Sequence, residues 1–334
     1  MVNWSVLAGK RYYVVGTRPW RLRLGKRFAA CDDTMGKKGK KAQAGKAKKL
    51  TPKDIGKRLD ALVKKLEEEL EGADLFAPPP PMDDCPICLV RLSFCSDQCA
   101  YQACCGKQIC IACFEENKNF IKKENKRNAG KKDRKEKAHT CPLCRQAEPA
   151  DEEDYLRQLE AKFSSLGDKV SCVSLGTYLM FGRNGSTRKD ELKGLYCLIK
   201  AAELGSPESC VCLGIIFREG IGLSIDMDKA ALFDKVAAIR GDVQARHNIG
   251  TAEYRVFGNY ELGIRHWKIS AEAGYQQSLK SLTKVYNADG KRPGKEFISK
   301  EDMDKIYRDC HEAQEMIKSE EREKYLHEED EMKC

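Results

Sequence analysis

Apolar positions along this chain fall into stretches of different period. Ile55, Leu59, Leu62, Val63, Leu66 and Leu70 recur at the spacing of one helix face. Ahead of them, Thr51-Pro52-Lys53-Asp54 supplies an N-cap, a proline at the first helical position and an acid in the first turn, and Gly72 supplies a stop. The pattern predicts an amphipathic helix over 51–72. It either packs on the rest of the chain or pairs as a short coiled coil, and packing is favoured because fewer than three heptads make a weak coil. Pro78 to Pro81 then predict an extended, Pro-rich linker over 73–84.

Past residue 145 the apolar residues return in Gly-punctuated helical segments. Leu175-Gly176, Leu213-Gly214 and Ile249-Gly250 lie 38 and 36 residues apart, and Ala201-Ala202 to Gly205, Ala237-Ala238 to Gly241 and Ala271 to Gly274 follow the same period. Each unit runs from a Leu-Gly helix with an aromatic (Tyr178, Phe217, Tyr254) through a Gly-containing loop into a second helix. Such periodicity predicts an α-solenoid, because one helix pair cannot bury its own face and a stack can. A partial fourth unit near Leu279, Leu282 and Tyr286 closes it, placing the array at 165–298 and a charged helix or tail at 299–334. The units resemble Sel1-like repeats, relatives of the tetratricopeptide group. That resemblance implies a right-handed superhelix of helix pairs with a protein-binding surface.

Charge changes the picture at the N-terminus only. The formal net charge is +9 over 334 residues. Residues 1–58 carry seventeen Lys and Arg against Asp32, Asp33 and Asp54, so the remainder is mildly acidic. Residues 1–50 have no apolar periodicity and read as a disordered basic tail, with Met35 as an alternative start. Nucleic-acid association through this tail is a weak alternative, since no aromatics accompany the lysines of 36–49. No stretch approaches the ~20 apolar residues of a membrane helix, and no secretory signal is recognisable, so a cytoplasmic or nuclear location is expected.

Ten of the seventeen cysteines fall between Cys85 and Cys144. They include Cys85-x2-Cys88, Cys104-Cys105, Cys110-x2-Cys113 and Cys141-x2-Cys144. Two residues between sulfurs form a tight knuckle that turns both thiolates onto one ion, so eight sulfurs point to two four-coordinate zinc sites rather than disulfides. Cys95 or Cys99 remains an alternative to Cys104. His139 reads as an ordinary polar residue, and the lysine-rich insert from Phe114 to Thr140 as an exposed helix. Both ions would be structural, each closed by four cysteines with no position for water.

The finger over 85–145 resembles the RING family, in an all-cysteine variant. The resemblance implies a small zinc-stabilised α+β fold with a cross-brace, in which Cys85, Cys88, Cys110 and Cys113 share one Zn2+ and Cys104, Cys105, Cys141 and Cys144 the other. It further implies that Ile87, Pro142 and Leu143 dock a ubiquitin-conjugating enzyme. Arg145, after the last ligand, would bridge that enzyme and its thioester-linked ubiquitin. The expected function is therefore a RING-type ubiquitin ligase or ligase-type adaptor whose repeats hold a substrate or scaffold protein. It would need no covalent catalytic cysteine. The alternative is a non-enzymatic zinc-binding interaction scaffold.

Overall fold

A computed structural model describes residues 50–93, 98–128, 138–166, 168–182, 190–288 and 293–318. The predicted basic tail, Cys95, the lysines at 131, 132 and 135 and the last sixteen residues lie outside these. The first helix, α1 (Pro52–Glu71), begins where the sequence puts its signals. The Thr51 hydroxyl accepts from the Asp54 amide at 3.2 Å, while the Asp54 carboxylate accepts from the Thr51 amide at 3.3 Å. This reciprocal cap satisfies two amides that the helix cannot pair itself.

Eight further helices build four packed pairs. They are α4 (Lys169–Phe181) with α5 (Glu191–Glu203), α6 (Pro207–Glu219) with α7 (Met227–Ile239), α8 (Val243–Ala252) with α9 (Tyr260–Glu272), and α10 (Gln276–Tyr286) with α11 (Lys300–Glu315). The Ala-to-Gly motif is the joint between pairs. Gly205, Gly241 and Gly274 all have φ between 85° and 104°, and the amides of Ser206, Asp242 and Tyr275 donate back to Ala201, Ala237 and Ser270 at 2.9–3.1 Å. This is a left-handed helix stop that a side chain would strain. Ser206 and Asp242 then cap the next helix through the amides of Ser209 and Ala245. Inside the third pair Gly250 and Gly263 let two backbones touch, since a Cβ on either would lie 2.8 Å from the other's carbonyl oxygen.

The stack does not stop at residue 298. Met303 and Ile306 of α11 are buried in one cluster with Trp267, Leu282 and Val285. The charged helix expected from residue 299 is thus α11, and it supplies the second helix of the fourth pair. Its apolar stripe is three residues wide, Met303, Ile306 and Cys310, in an otherwise charged helix, and that is why composition hides it. An unanticipated helix, α3 (Glu152–Leu166), covers the open side of α4 through Leu156 and Leu159.

The first helix lies across α5 and α7, burying Ile55, Leu59, Leu62 and Leu66 in the largest core cluster with Leu198, Ile199, Leu213, Phe233 and Val236. Two bidentate ion pairs fasten it: Arg58 with Glu203 at 2.6 and 2.8 Å, and Arg240 with Glu69 at 2.7 and 2.8 Å. The linker continues along the same side. Buried Arg246 donates to the Leu75 carbonyl at 2.7 Å, and the Phe76 ring lies 5.0 Å from that of His266 with the Arg265 guanidinium 3.7 Å from its centre. No helix among the described residues is long and apolar enough to cross a membrane.

Candidate metal centre

Two knuckles with the same backbone frame the finger. In the first, the Cys85 amide donates to Val90 O and the Leu89 amide to Cys85 O, both at 2.9 Å, and the Leu92 amide donates to Asp83 O. In the second, Cys141 donates to Gln146 O, Arg145 to Cys141 O and Glu148 to His139 O. Leu89 and Arg145 occupy the same position and share left-handed φ values of 59° and 64°. Short bridges, Asp84 to Arg91 and Thr140 to Ala147, close each knuckle. Between them, antiparallel β1 (Cys99–Gln102) and β2 (Lys107–Cys110) form a hairpin whose turn carries Cys104 and Cys105. Gly106 at φ 74° provides the bend. The second strand runs directly into α2 (Ile111–Asn128), whose first turn holds Cys113.

The result is two clusters, Cys85, Cys88, Cys110, Cys113 and Cys104, Cys105, Cys141, Cys144, with the sulfurs of each lying within 4.8 Å of one another. Within them Cys88 and Cys110 are 3.9 Å apart, Cys105 and Cys141 3.9 Å, and Cys104 and Cys144 3.4 Å. Tetrahedral zinc with ~2.3 Å bonds to sulfur places its ligands about 3.8 Å apart, so the residues present fit such an ion. Cys99 is not a member; its thiol faces Ser93 O at 3.7 Å. His139 also stands outside both clusters.

Electrostatics point the same way. Burial pushes the Cys85 thiol up, but amides of Cys110, Cys88 and Ile87 outweigh it and bring it down to about 7. Burial drives Cys113 and Cys104 far above the usual thiol range, and neighbouring sulfurs add to it. Four thiols in mutual contact cannot all ionise without a cation between them, and a divalent ion reverses that penalty. Ile87 is 41 % exposed, Pro142 and Leu143 half-buried and Arg145 exposed.

No family model and no curated protein matches this chain. Solved structures do. One is a Sel1 repeat protein from Oxalobacter formigenes, with 20% identity over 49% of this chain and 65% of that one, at a TM-score of 0.40. Another is c5321, a protective antigen of uropathogenic Escherichia coli displaying an SLR fold, with 18% identity over 48% of this chain and 33% of that one, at a TM-score of 0.37. The matched region thus spans less than two thirds of either neighbour's length. The chain itself is an all-α repeat stack joined to a cysteine-rich finger with two cages of ion-binding size.

The finger is seated on the stack. Tyr101 donates to the Asp168 carboxylate at 2.5 Å, and Ala103 is buried with Leu156, Leu159, Leu175 and Tyr178. Asp168 also caps α4 through the Ser171 amide at 2.9 Å. Sequence reasoning missed this seat, because its only signal is two ordinary residues just before the Cys104-Cys105 pair.

Proposed function

We propose that this protein is a zinc-stabilised interaction scaffold, in which two structural Zn2+ ions shape a docking face on the finger and the repeat stack offers a second surface for a protein partner. The observation carrying this reading is the pair of closed, interleaved cysteine cages. Each supplies four sulfurs and no open position, so the metal's role is to fold the finger rather than to react. Purified full-length protein should hold two zinc ions per chain, measured by elemental analysis against protein concentration. A chain that is folded over 85–145 with no bound metal sinks the proposal.

The finer reading is a RING-type ubiquitin ligase, supported by Ile87 standing 41 % exposed beside a first knuckle that duplicates the backbone of the second. In that reading Ile87, Pro142 and Leu143 contact a ubiquitin-conjugating enzyme, and Arg145 holds the donor ubiquitin in an attack-ready pose through its guanidinium fork. Autoubiquitination with a panel of conjugating enzymes separates the two readings. With activity present, Arg145→Ala should retain both ions and slow discharge at least tenfold, whereas unaltered discharge removes Arg145 from the mechanism. Inactivity across the panel with zinc intact leaves the scaffold.

A further inference from the structure

The two cysteine cages differ in what surrounds them. In the first, Cys85, Cys110 and Cys113 are buried and Cys88 is half-buried. The apolar residues packed round it, Leu92, Ile109, Ala112 and Leu143, belong to the finger itself. In the second, Cys141 is buried, Cys104 and Cys105 are half-buried and Cys144 is exposed. Two of its sulfurs sit on the turn that starts at Ala103, the residue buried against α3 and α4. The turn is itself tied to the hairpin, since the amides of Cys105 and Gly106 both donate to Gln102 O, at 3.2 and 2.8 Å. Tyr101, Gln102, Ala103, Cys104 and Cys105 therefore form one short rigid run with the seat at one end and the cage at the other.

Resting on the metal reading above, we infer that the second cage is a metal-operated clasp between the finger and the repeat stack, whereas the first cage serves the finger alone. With an ion bound, the Cys104-Cys105 turn is pinned to the final knuckle. Tyr101 and Ala103 are then presented to Asp168 and to the Leu156, Leu159, Leu175 and Tyr178 surface. With the ion gone, the turn keeps only its amides on Gln102 O and the small Ala103 contact, and a two-stranded hairpin is marginally stable by itself. Release uncovers an apolar face on α3 and α4 and removes one of the two partners of the carboxylate that caps α4. The exposure of Cys144 makes this ion the one that a chelator or a competing thiol reaches first.

The test uses the full chain and hydrogen exchange of peptides covering residues 152–181, read alongside zinc content. Cys141→Ser/Cys144→Ser, which alters the knuckle remote in sequence from the seat, should keep one ion and speed exchange there at least tenfold. Cys85→Ser/Cys88→Ser should keep one ion and leave the same peptides within about twofold of the wild type. Equal acceleration in both variants, or in neither, overturns the inference. Tyr101→Phe removes no ligand; it should retain two ions while exchange at the start of α4 rises severalfold, and unchanged exchange there overturns it as well. A wild-type chain without zinc would instead refute the metal reading.

Discussion

Leu66→Ala tests whether the first helix is part of the repeat core. Leu66 is 0 % exposed and lies in the cluster that joins α1 to α5 and α7. Truncation removes three buried carbons, worth about 2.4 kcal/mol of transfer free energy at ~0.8 kcal/mol each. Confinement between three helices leaves little room for collapse, so a cavity penalty adds to this and the total should be about 3–4 kcal/mol. That is a large share of the ~5–15 kcal/mol by which a typical domain is stable. Urea denaturation of the full chain, followed by far-ultraviolet circular dichroism, should show the midpoint fall with an unchanged slope. Lys64→Ala, on the exposed face of the same helix, should stay within about 0.5 kcal/mol. A cost below about 1 kcal/mol for Leu66→Ala, or equal costs for the two variants, would refute the view that α1 is integral to the stack.

Three other outcomes follow from the geometry. Gly263→Ala should destabilise the fold by about 2 kcal/mol or more, because its Cβ would meet the Tyr254 Cβ at 2.7 Å and the Gly250 carbonyl at 2.8 Å; a neutral thermal midpoint would contradict the close helix approach. Glu69→Ala should cost about 1–3 kcal/mol in the same urea assay, since it leaves an 11 % exposed Arg240 without its carboxylate, the lower end reflecting a Glu69 that is a third exposed and the Ala202 carbonyl that Arg240 keeps. His266 is buried and, with Arg246, Arg265 and Lys235 adding to the effect of burial, its pKa is pushed down to about 4. Between pH 6.5 and 4 the unfolded imidazole takes a proton that the folded one refuses, so its contribution is full at neutral pH and lost on acidification. Half-buried Asp234 and Asp242, pushed up to about 6 by loss of water around their carboxylates, oppose this between pH 6 and 4. His266→Phe should therefore gain on the wild type by about 3 kcal/mol as pH falls through the window, and parallel stability profiles would exclude the effect.

Local signals carried most of what the sequence revealed. The cysteine grouping is legible because a knuckle is a local object: two residues between sulfurs and a fixed hydrogen-bond pattern define it, and Cys85 and Cys141 repeat it 56 residues apart. The joints between helix pairs are legible for the same reason, since Gly205, Gly241 and Gly274 must take a left-handed φ. What depends on contacts distant in sequence was not. The apolar face of α1 announces burial but not its partner, which stands more than a hundred residues away. The partial fourth unit was legible at Leu279, Leu282 and Tyr286, but its second helix was not assigned to it, because three apolar residues among charges resemble a solvated helix. The Tyr101 and Ala103 seat has no pattern at all; only the folded stack gives those residues something to touch.

The path of residues 50–80 along α5, α7 and α9 bears on where the chain can be cut. A truncated version starting at the first zinc cysteine would look sensible by domain bookkeeping. It would nonetheless strip the greasy flank formed by Leu198, Leu213 and Val236 of its cover and leave the Arg240 and Arg246 cations facing vacated ground. Such a product should precipitate or self-associate, whereas one beginning at Leu50 keeps its own lid.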